Sequence, residues 1–331
     1  MARKAIGLLS GGLDSTLAVN LIMQQGIEVI ALNFLTPFCR CSKKGCGSEA
    51  VKVSEKMGFE LRVEYLGDEY LDIVRSPAHG YGRNMNPCID CRILIFSKAR
   101  KVMENEGASF VFTGEVLGER PMSQRRDSMR IIEKESGLVG RLLRPLSAQH
   151  FPPTVAEEEG TVDRSKLLAI TGRSRKPQMR LAKEIGLNEY PCPAGGCLLT
   201  DPVYARKVRD LLERSELTME NVVLLGIGRH FRLHDCAKLI VGRDQNENTR
   251  LESLAREGDV VLSTFPLPGP VALLRNGDNG SIELSAMICA AHSDVRNESE
   301  VPVSWRRAQD SSSAVLRVCP IAPGMLEQYR I

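Results

Sequence analysis

The chain has 331 residues, 43% hydrophobic and 26% charged, with a net charge of +3. That is too long for one ordinary core, so two or three domains are expected, and the composition excludes a disordered or fibrous protein. No run of about 18 apolar residues marks a membrane span, and "MARKAIGLLSGG" breaks into glycines where a secretory leader would continue, so a cytoplasmic location with no membrane partner is expected.

In chain order, "KAIGLL" (4–9) reads as a buried strand that runs into a glycine turn. "STLAVNLIMQQG" (15–26) reads as a helix stopped at Gly26, and "EVIALNF" (28–34) as a second strand. "SEAVKVSEKMG" (48–58) is a helix, "FELRVEYL" (59–66) a strand, "CRILIFSKARKVMENEG" (91–107) a long helix and "SFVFTGE" (109–115) a strand. This alternation predicts an α/β fold, a doubly wound parallel sheet with helices on both faces. Ligands of such a sheet sit at the carboxyl ends of its strands.

From 141 the character changes. "RLLRPLS" is expected as a last strand, followed by two short basic helices, "DRSKLLAITG" and "KPQMRLAKEIG". From 219 the pattern is β-rich, in "NVVLLGIGRHFRL", "AKLIVGRD", "DVVLSTF", "PVALLRNG" and "SAVLRVCPI", with a polar, exposed loop expected over 293–314. The expected domains are therefore 1–140, a small helical segment over 141–218, and a β-rich or α+β domain over 219–331.

The stretch "GLLSGGLDSTLA" (7–18) carries the sharpest chemistry. Gly11 and Gly12 let backbone N–H groups approach an anion. Ser10, Ser15 and Thr16 offer hydroxyls, and the helix start adds its dipole. Asp14 suits that first turn and can help to hold Mg²⁺. The pattern is neither the Walker loop nor G-x-G-x-x-G. "SGGLDST" resembles the PP-loop of the ATP pyrophosphatases. The resemblance implies cleavage of ATP to AMP and pyrophosphate, with adenylation of a carbonyl oxygen that a nucleophile then replaces. Asn33 and Gly114 are assigned with the loop as nucleotide contacts.

The ten cysteines stand in a chain expected to be reduced, which points to metal or catalysis rather than disulfides. "YGRNMNPCIDCRILIF" resembles the corresponding segment of the tRNA 2-thiouridylases, and "LLRPLS", "KPQMRLAKEIGL" and "GGCLLTDP" follow in that family's order. Cys91 and Cys197 fall on the family's two catalytic cysteines. Cys88 falls where members carry Asp or Cys, and Cys192 has no counterpart. "TGEVLGERPMSQ" (113–124) resembles the 4-thiouridine synthetases through Gly114, Glu115, Gly118, Ser123 and Gln124. Together these resemblances span roughly residues 4–205.

Three readings of the thiols stand beside plain core cysteines. Cys88, Cys91 and Cys197 can hold three irons of a 4Fe-4S cluster, leaving the fourth open for sulfide. Cys91 and Cys197 can instead act as a persulfide and its resolving thiol. With Cys192 as a fourth ligand they can hold structural zinc. A helix start beside Cys88 and Cys91 is expected to favour their thiolates. Cys39, Cys41 and Cys46, in "CRCSKKGCG" (39–47), have a spacing that suits a second metal site or a lid. His79 is expected as a solvated loop residue or a substrate contact, and His230 and His234 as structural.

Between Arg164 and Lys183 the basic residues Arg164, Lys166, Arg173, Arg175, Lys176 and Arg180 have no acid among them, and Arg120, Arg125, Arg126 and Arg130 form an earlier cluster. Such patches suit a polyanion or a solvated face. "FRLHDCAKLIVGRDQNENTRLESLAREGDVVLS" (231–263) resembles the RNA-binding domain of NFACT-type proteins. The resemblances imply an ATP- and Mg²⁺-dependent tRNA sulfurtransferase that forms 4-thiouridine or 2-thiouridine with an external sulfur donor. The alternatives are a PP-loop amide- or nitrile-forming ligase with structural zinc, or a non-catalytic RNA-binding adaptor.

Overall fold

The computed structural model describes residues 3–39, 46–187, 196–264 and 266–331. The chain divides into two compact units, Met1–Thr200 and Asp201–Ile331. In the first unit the order is β1 (Lys4–Leu8), α1 (Leu13–Met23), β2 (Glu28–Leu35), α2 (Cys46–Met57), β3 (Glu60–Tyr65), α3 (Asp68–Arg75), α4 (Cys88–Asn105), β4 (Phe110–Thr113), α5 (Arg126–Glu135), β5 (Leu142–Leu143), α6 (Val155–Glu158) and α7 (Lys176–Glu184). The five strands form one parallel sheet in the order β3-β2-β1-β4-β5. The doubly wound α/β expectation holds.

Alternation along the strands builds the two faces. Ile6, Leu8, Ile30, Leu32 and Val111 pack with Phe96, Ala99 and Met103 of α4. Ala5, Val29, Ala31, Phe110 and Phe112 pack with Ala18, Val19 and Ile22 of α1 on the other side. Gly7 leaves room for Phe112, because a Cβ there would lie 2.6 Å from the ring. The chain runs outward from β1 through β2 to β3 and then returns to β4 on the other side of β1. The switch point between β1 and β4 is where such a sheet opens a ligand crevice.

Residues 141–200 fall within the first compact unit. β5 pairs with β4. "DRSKLLAITG" is not a helix beyond the single 3-10 turn Arg164–Lys166. The N–H groups of Leu168 and Ile170 bond instead to the carbonyls of Pro145 and Leu146, at 2.9 and 2.8 Å, which draws the segment out along the chain that follows β5.

The second unit holds α8 (Pro202–Glu213), α9 (Met219–Leu224), β6 (Arg229–Arg232), β7 (Lys238–Val241), α10 (Gln245–Ser253), β8 (Val260–Ser263), β9 (Val271–Arg275), α11 (Asn279–Ala291), β10 (Val301–Arg307), β11 (Ala314–Val318) and α12 (Pro323–Leu326). Its six strands form an antiparallel sheet in the order β11-β10-β8-β9-β7-β6. Two local expectations fail. "NVVLLG" is helical, because Thr218 caps α9 by accepting the Asn221 N–H. The expected loop over 293–314 contains β10, whose Val301 and Val303 are fully buried.

The "VGRDQNEN" turn uses its polar side chains on backbone N–H groups of the turn and of the chain beside it. Asp244 caps α10, and Glu247 accepts the N–H groups of Gly228 and Arg243. Asn248 accepts that of Val271. Among the described residues, no helix is long and apolar enough to cross a membrane.

Candidate active site

The loop from Leu9 to Gly12 leaves the carboxyl end of β1 and turns into α1. Gly11 makes the turn with a φ of 75°. Ser15 donates its hydroxyl to the Gly12 carbonyl at 2.9 Å and accepts the Ser10 N–H at 3.2 Å. Thr16 donates to the same carbonyl at 3.1 Å. Ser15 and Thr16 are buried, so their hydroxyls shape the turn, while Ser10 is exposed at its mouth.

Gly114, just past β4, presses on this loop. A Cβ there would lie 2.5 Å from the backbone of Asp14 and Ser15. Asn33 ties β2 to the loop by donating to the Leu9 carbonyl at 2.6 Å, and its Oδ1 is buried without a partner. Asp14 faces Arg175 at 3.8 Å, and its Oδ1 is also buried and unpartnered. Burial pushes the Asp14 carboxyl above its ordinary value, while Arg175 and Arg120 pull it down. Glu119 is raised as well, first by burial and then by the charge of Asp14. Gln178 on α7 is fully buried beside Asp14, whose carboxylate its amide helps to stabilise. The unsatisfied oxygens of Asn33 and Asp14, on elements that flank this loop, are what a polar ligand would satisfy.

The loop after β4 delivers the basic segment to this place. The Leu117 carbonyl accepts the Gly172 N–H at 2.8 Å and the Thr171 hydroxyl at 2.9 Å. Arg175 follows directly at the start of α7. The basic run therefore divides by role. Arg164 pairs with Glu157 and donates to the carbonyls of Ala148 and Phe151, holding the fold. Lys166 lies near Asp163 at 3.8 Å, and Arg173, Lys176 and Arg180 are exposed.

Cys88 and Cys91 stand one turn apart in the first turn of α4. Cys197 precedes a 3-10 turn, with Thr200 donating both its N–H (3.0 Å) and its hydroxyl (2.6 Å) to the Cys197 carbonyl. These thiols share one electrostatic neighbourhood, and Cys39 belongs to it. The charges of Cys88 and Cys39 act on Cys91, and those of Cys91, Cys39 and Cys88 act on Cys197.

The expectation of dipole-favoured thiolates fails for Cys91. Burial pushes its thiol up to about 11, although the Tyr70 hydroxyl bonds its sulfur and Arg92 lies near. Burial likewise pushes Cys197 up to about 12, against a hydrogen bond from the Leu199 backbone. Among the described residues, no three His, Cys, Asp or Glu side chains are grouped so as to hold a metal ion. The donor set is therefore of the right chemistry for a cluster but is not closed around one. Cys41 and Cys192 lie outside the described residues, as does the side chain of Cys46.

Four participants were not singled out from the sequence. Tyr70, on the unforeseen α3, is fully buried against Phe38 with ring centroids 5.8 Å apart, and it bonds Cys91. Arg92 reaches Glu115 at 3.5 Å. Glu115 is also 3.5 Å from Arg144, so an ionic chain runs from the thiol helix to the strand end that carries Gly114. Gln178 had no signal beyond its place in a helix. His79, expected as a solvated loop residue or a substrate contact, is half-buried between two carboxylates. Its Nδ1 meets Asp90 and its Nε2 meets Glu135, each at 3.1 Å, clamping α4 to α5.

Comparisons with known proteins give the chain a family. Residues 1–167 match the family described as "Thiamine biosynthesis protein (ThiI)", and residues 228–330 match "NFACT protein RNA binding domain". The chain is 28% identical over 205 residues to the tRNA-specific 2-thiouridylase MnmA of Clostridium acetobutylicum, covering 57% of this chain and 54% of that one. It is 26% identical over 227 residues to a probable tRNA sulfurtransferase of Methanothermobacter thermautotrophicus, covering 64% and 49%. A solved 4-thiouridine synthetase–RNA complex with bound ATP is similar over 67% of this chain and 53% of that one, at 20% identity and a TM-score of 0.39. The chain spans about half the length of these curated relatives. The ThiI match covers half of the 331 residues and contains the phosphate loop, Cys88 and Cys91, and on that ground the chain belongs to the ThiI family.

Proposed function

We propose that the chain is an ATP-dependent tRNA sulfurtransferase that adenylates a uridine carbonyl oxygen and replaces it with sulfur. The observation that carries this reading is the link between the two chemistries. The phosphate loop is pressed by Gly114, and the neighbouring Glu115 reaches through Arg92 to the helix turn that bears Cys88 and Cys91. In this reading the backbone of Ser10 to Gly12 grips the phosphates of ATP, with Asp14 beside Mg²⁺ and Asn33 lining the nucleotide. The uracil oxygen attacks the α-phosphorus, pyrophosphate leaves, and sulfur then displaces AMP from the ring carbon. Residues 1–140 carry the ATP chemistry, 141–218 bring the basic residues and Cys197, and 219–331 hold RNA.

A 4Fe-4S cluster, if bound, would be held by Cys88, Cys91 and Cys197 and would supply sulfide for the transfer. Those side chains are not grouped to hold a metal as they stand. A second reading, persulfide chemistry on the thiols themselves, is favoured by the strand bridge that sets Cys197 against another cysteine.

The test is to incubate the chain with tRNA, ATP, Mg²⁺ and sulfide, and to measure AMP and thiouridine by chromatography. Both should form in step, and Asp14→Ala should lower both by about 100-fold or more. Undiminished activity in that variant would sink the loop assignment. AMP formation without any need for RNA would move the chain to the ligases.

A further inference from the structure

We propose that Cys39 is the thiol that resolves a persulfide on Cys197, closing a Cys39–Cys197 disulfide. This rests on the sulfurtransferase reading above and names the residue that completes its sulfur step. Cys39 and Cys197 face each other across an isolated antiparallel bridge. The flanking hydrogen bond runs from the Leu198 N–H to the Phe38 carbonyl at 2.8 Å. Each partner of that bond lies one residue away from the cysteines, so Cys39 and Cys197 form a non-hydrogen-bonded pair. In such a pair the Cα atoms stand about 4.5 Å apart and the side chains lie on the same face. That separation falls within the range of about 4.4–6.8 Å that a disulfide spans.

Both backbones are fixed. The Cys39 N–H bonds to the Thr36 carbonyl at 3.1 Å, and Phe38 beside it is fully buried against Tyr70. The Cys197 carbonyl is held twice by Thr200. Closing the bond therefore needs side-chain rotation and no movement of the chain. Cys91 is placed differently: it lies on the first turn of α4, and its sulfur accepts a hydrogen bond from the Tyr70 hydroxyl of α3.

In the step, the Cys39 thiolate attacks the Cys197 sulfur that carries the sulfane sulfur. The Sγ–Sγ bond forms, the bond from Cys197 to its outer sulfur breaks, and hydrosulfide leaves with the electron pair. The outer sulfur is reduced by two electrons, and the two thiols are oxidised by two. The sulfane sulfur comes from a persulfide or polysulfide donor, and a dithiol reductant restores both thiols. The hydrosulfide is released inside the site as the nucleophile for the adenylated base.

The full chain, reduced and kept free of oxygen, is loaded with inorganic polysulfide and quenched with an alkylating reagent. Non-reducing digestion with mass spectrometry maps the linked peptides, and released sulfide is assayed. The expected result is a Cys39–Cys197 peptide pair with about one sulfide per chain. Cys39→Ser should leave the persulfide on Cys197 and lower sulfide release by about tenfold or more. A Cys91–Cys197 or Cys88–Cys197 link in the wild type would overturn the proposal. So would undiminished release from Cys39→Ser, or a Cys197 shielded from alkylation in an iron-bearing chain. The wild-type map does not depend on how the variant folds. AMP formation with tRNA is measured on the same wild-type preparation, and its absence would remove the sulfurtransferase reading while the peptide map still decides on Cys39.

Discussion

Replacing Gly114 with Ala puts one methyl group where the structure has no room for it. Its Cβ would lie 2.5 Å from the backbone C and O of Asp14 and from the N of Ser15, whereas ordinary contact begins at 3.4 Å, so the two backbones must part by about 0.9 Å. Every atom it meets is main chain, so no rotamer change relieves the clash. Overpacking of this kind costs about 1–3 kcal/mol. At about 2–4 °C per kcal/mol, a cost of 2 kcal/mol lowers the melting temperature of the first unit by about 4–8 °C. The strain can also be relieved by displacing the phosphate loop, and a displacement of about 1 Å from productive geometry costs about 100-fold in rate. Calorimetric melting and ATP-dependent AMP formation on one preparation read both outcomes. Gly324→Ala is the control, because nothing lies within 4 Å of its Cβ position, and it should stay within about 0.5 kcal/mol of the wild type. An unchanged melting point together with unchanged AMP formation in Gly114→Ala would refute the close approach of β4 to the loop.

Hydrogen bonding to Asp90 raises the pKa of His79 against the opposing effect of burial, and Glu135 adds to the rise. The clamp's contribution is therefore complete below the ordinary histidine value of about 6.5 and is lost as pH rises through the raised folded value. Melting temperatures should separate wild type from His79→Gln more at about pH 5.5 than at about pH 8.5, and the opposite trend would refute the assignment. Arg144→Met should destabilise by about 3–5 kcal/mol in a denaturant titration, because it strips a buried cation from the carboxylates of Glu115 and Glu133. Adding Glu115→Gln should recover part of that loss. Charge reversal of the exposed Arg173, Lys176 and Arg180 should weaken RNA binding. It should also flatten the salt dependence by about 0.7–0.9 log units per log unit of salt for each phosphate that the variant leaves without a cation, as measured by filter binding.

The sheet was legible because β1, β2 and β4 are short apolar runs bounded by turn signals, a pattern that only a buried parallel sheet supports. The phosphate loop was legible because glycines and hydroxyls at fixed offsets follow a strand directly. α3 was not, because its buried Tyr70, Leu71 and Val74 lie among four charged residues in a helix of only eight. The helix expected over 163–172 failed because Pro145 and Leu146, just past β5, offer their carbonyls to N–H groups that a helix would use. β10 hides between polar turns, and only the Val301, Val303 and Trp305 alternation marks it. Cys91 shows why a local rule misleads at a site: position at a helix start argues for a thiolate, and burial, which sequence does not display, argues harder against it. Cys39 was visible only as one member of a spacing. What selects it is a pairing with a residue far along the chain.

The placement of β4 between β1 and β5 has a consequence for the order of events during synthesis. The loop proposed to grip phosphate is complete once the first two dozen residues emerge, yet the strand whose end presses on it begins only at Phe110. A nascent chain that has made β1, β2 and β3 has an open edge where β4 will insert. Pairing across so long a separation is slow to form, and an open edge is exposed to other strands meanwhile. Under the proposed function, competence for ATP thus arrives as a single late event when β4 docks. Chains released before that point carry the motif without the site.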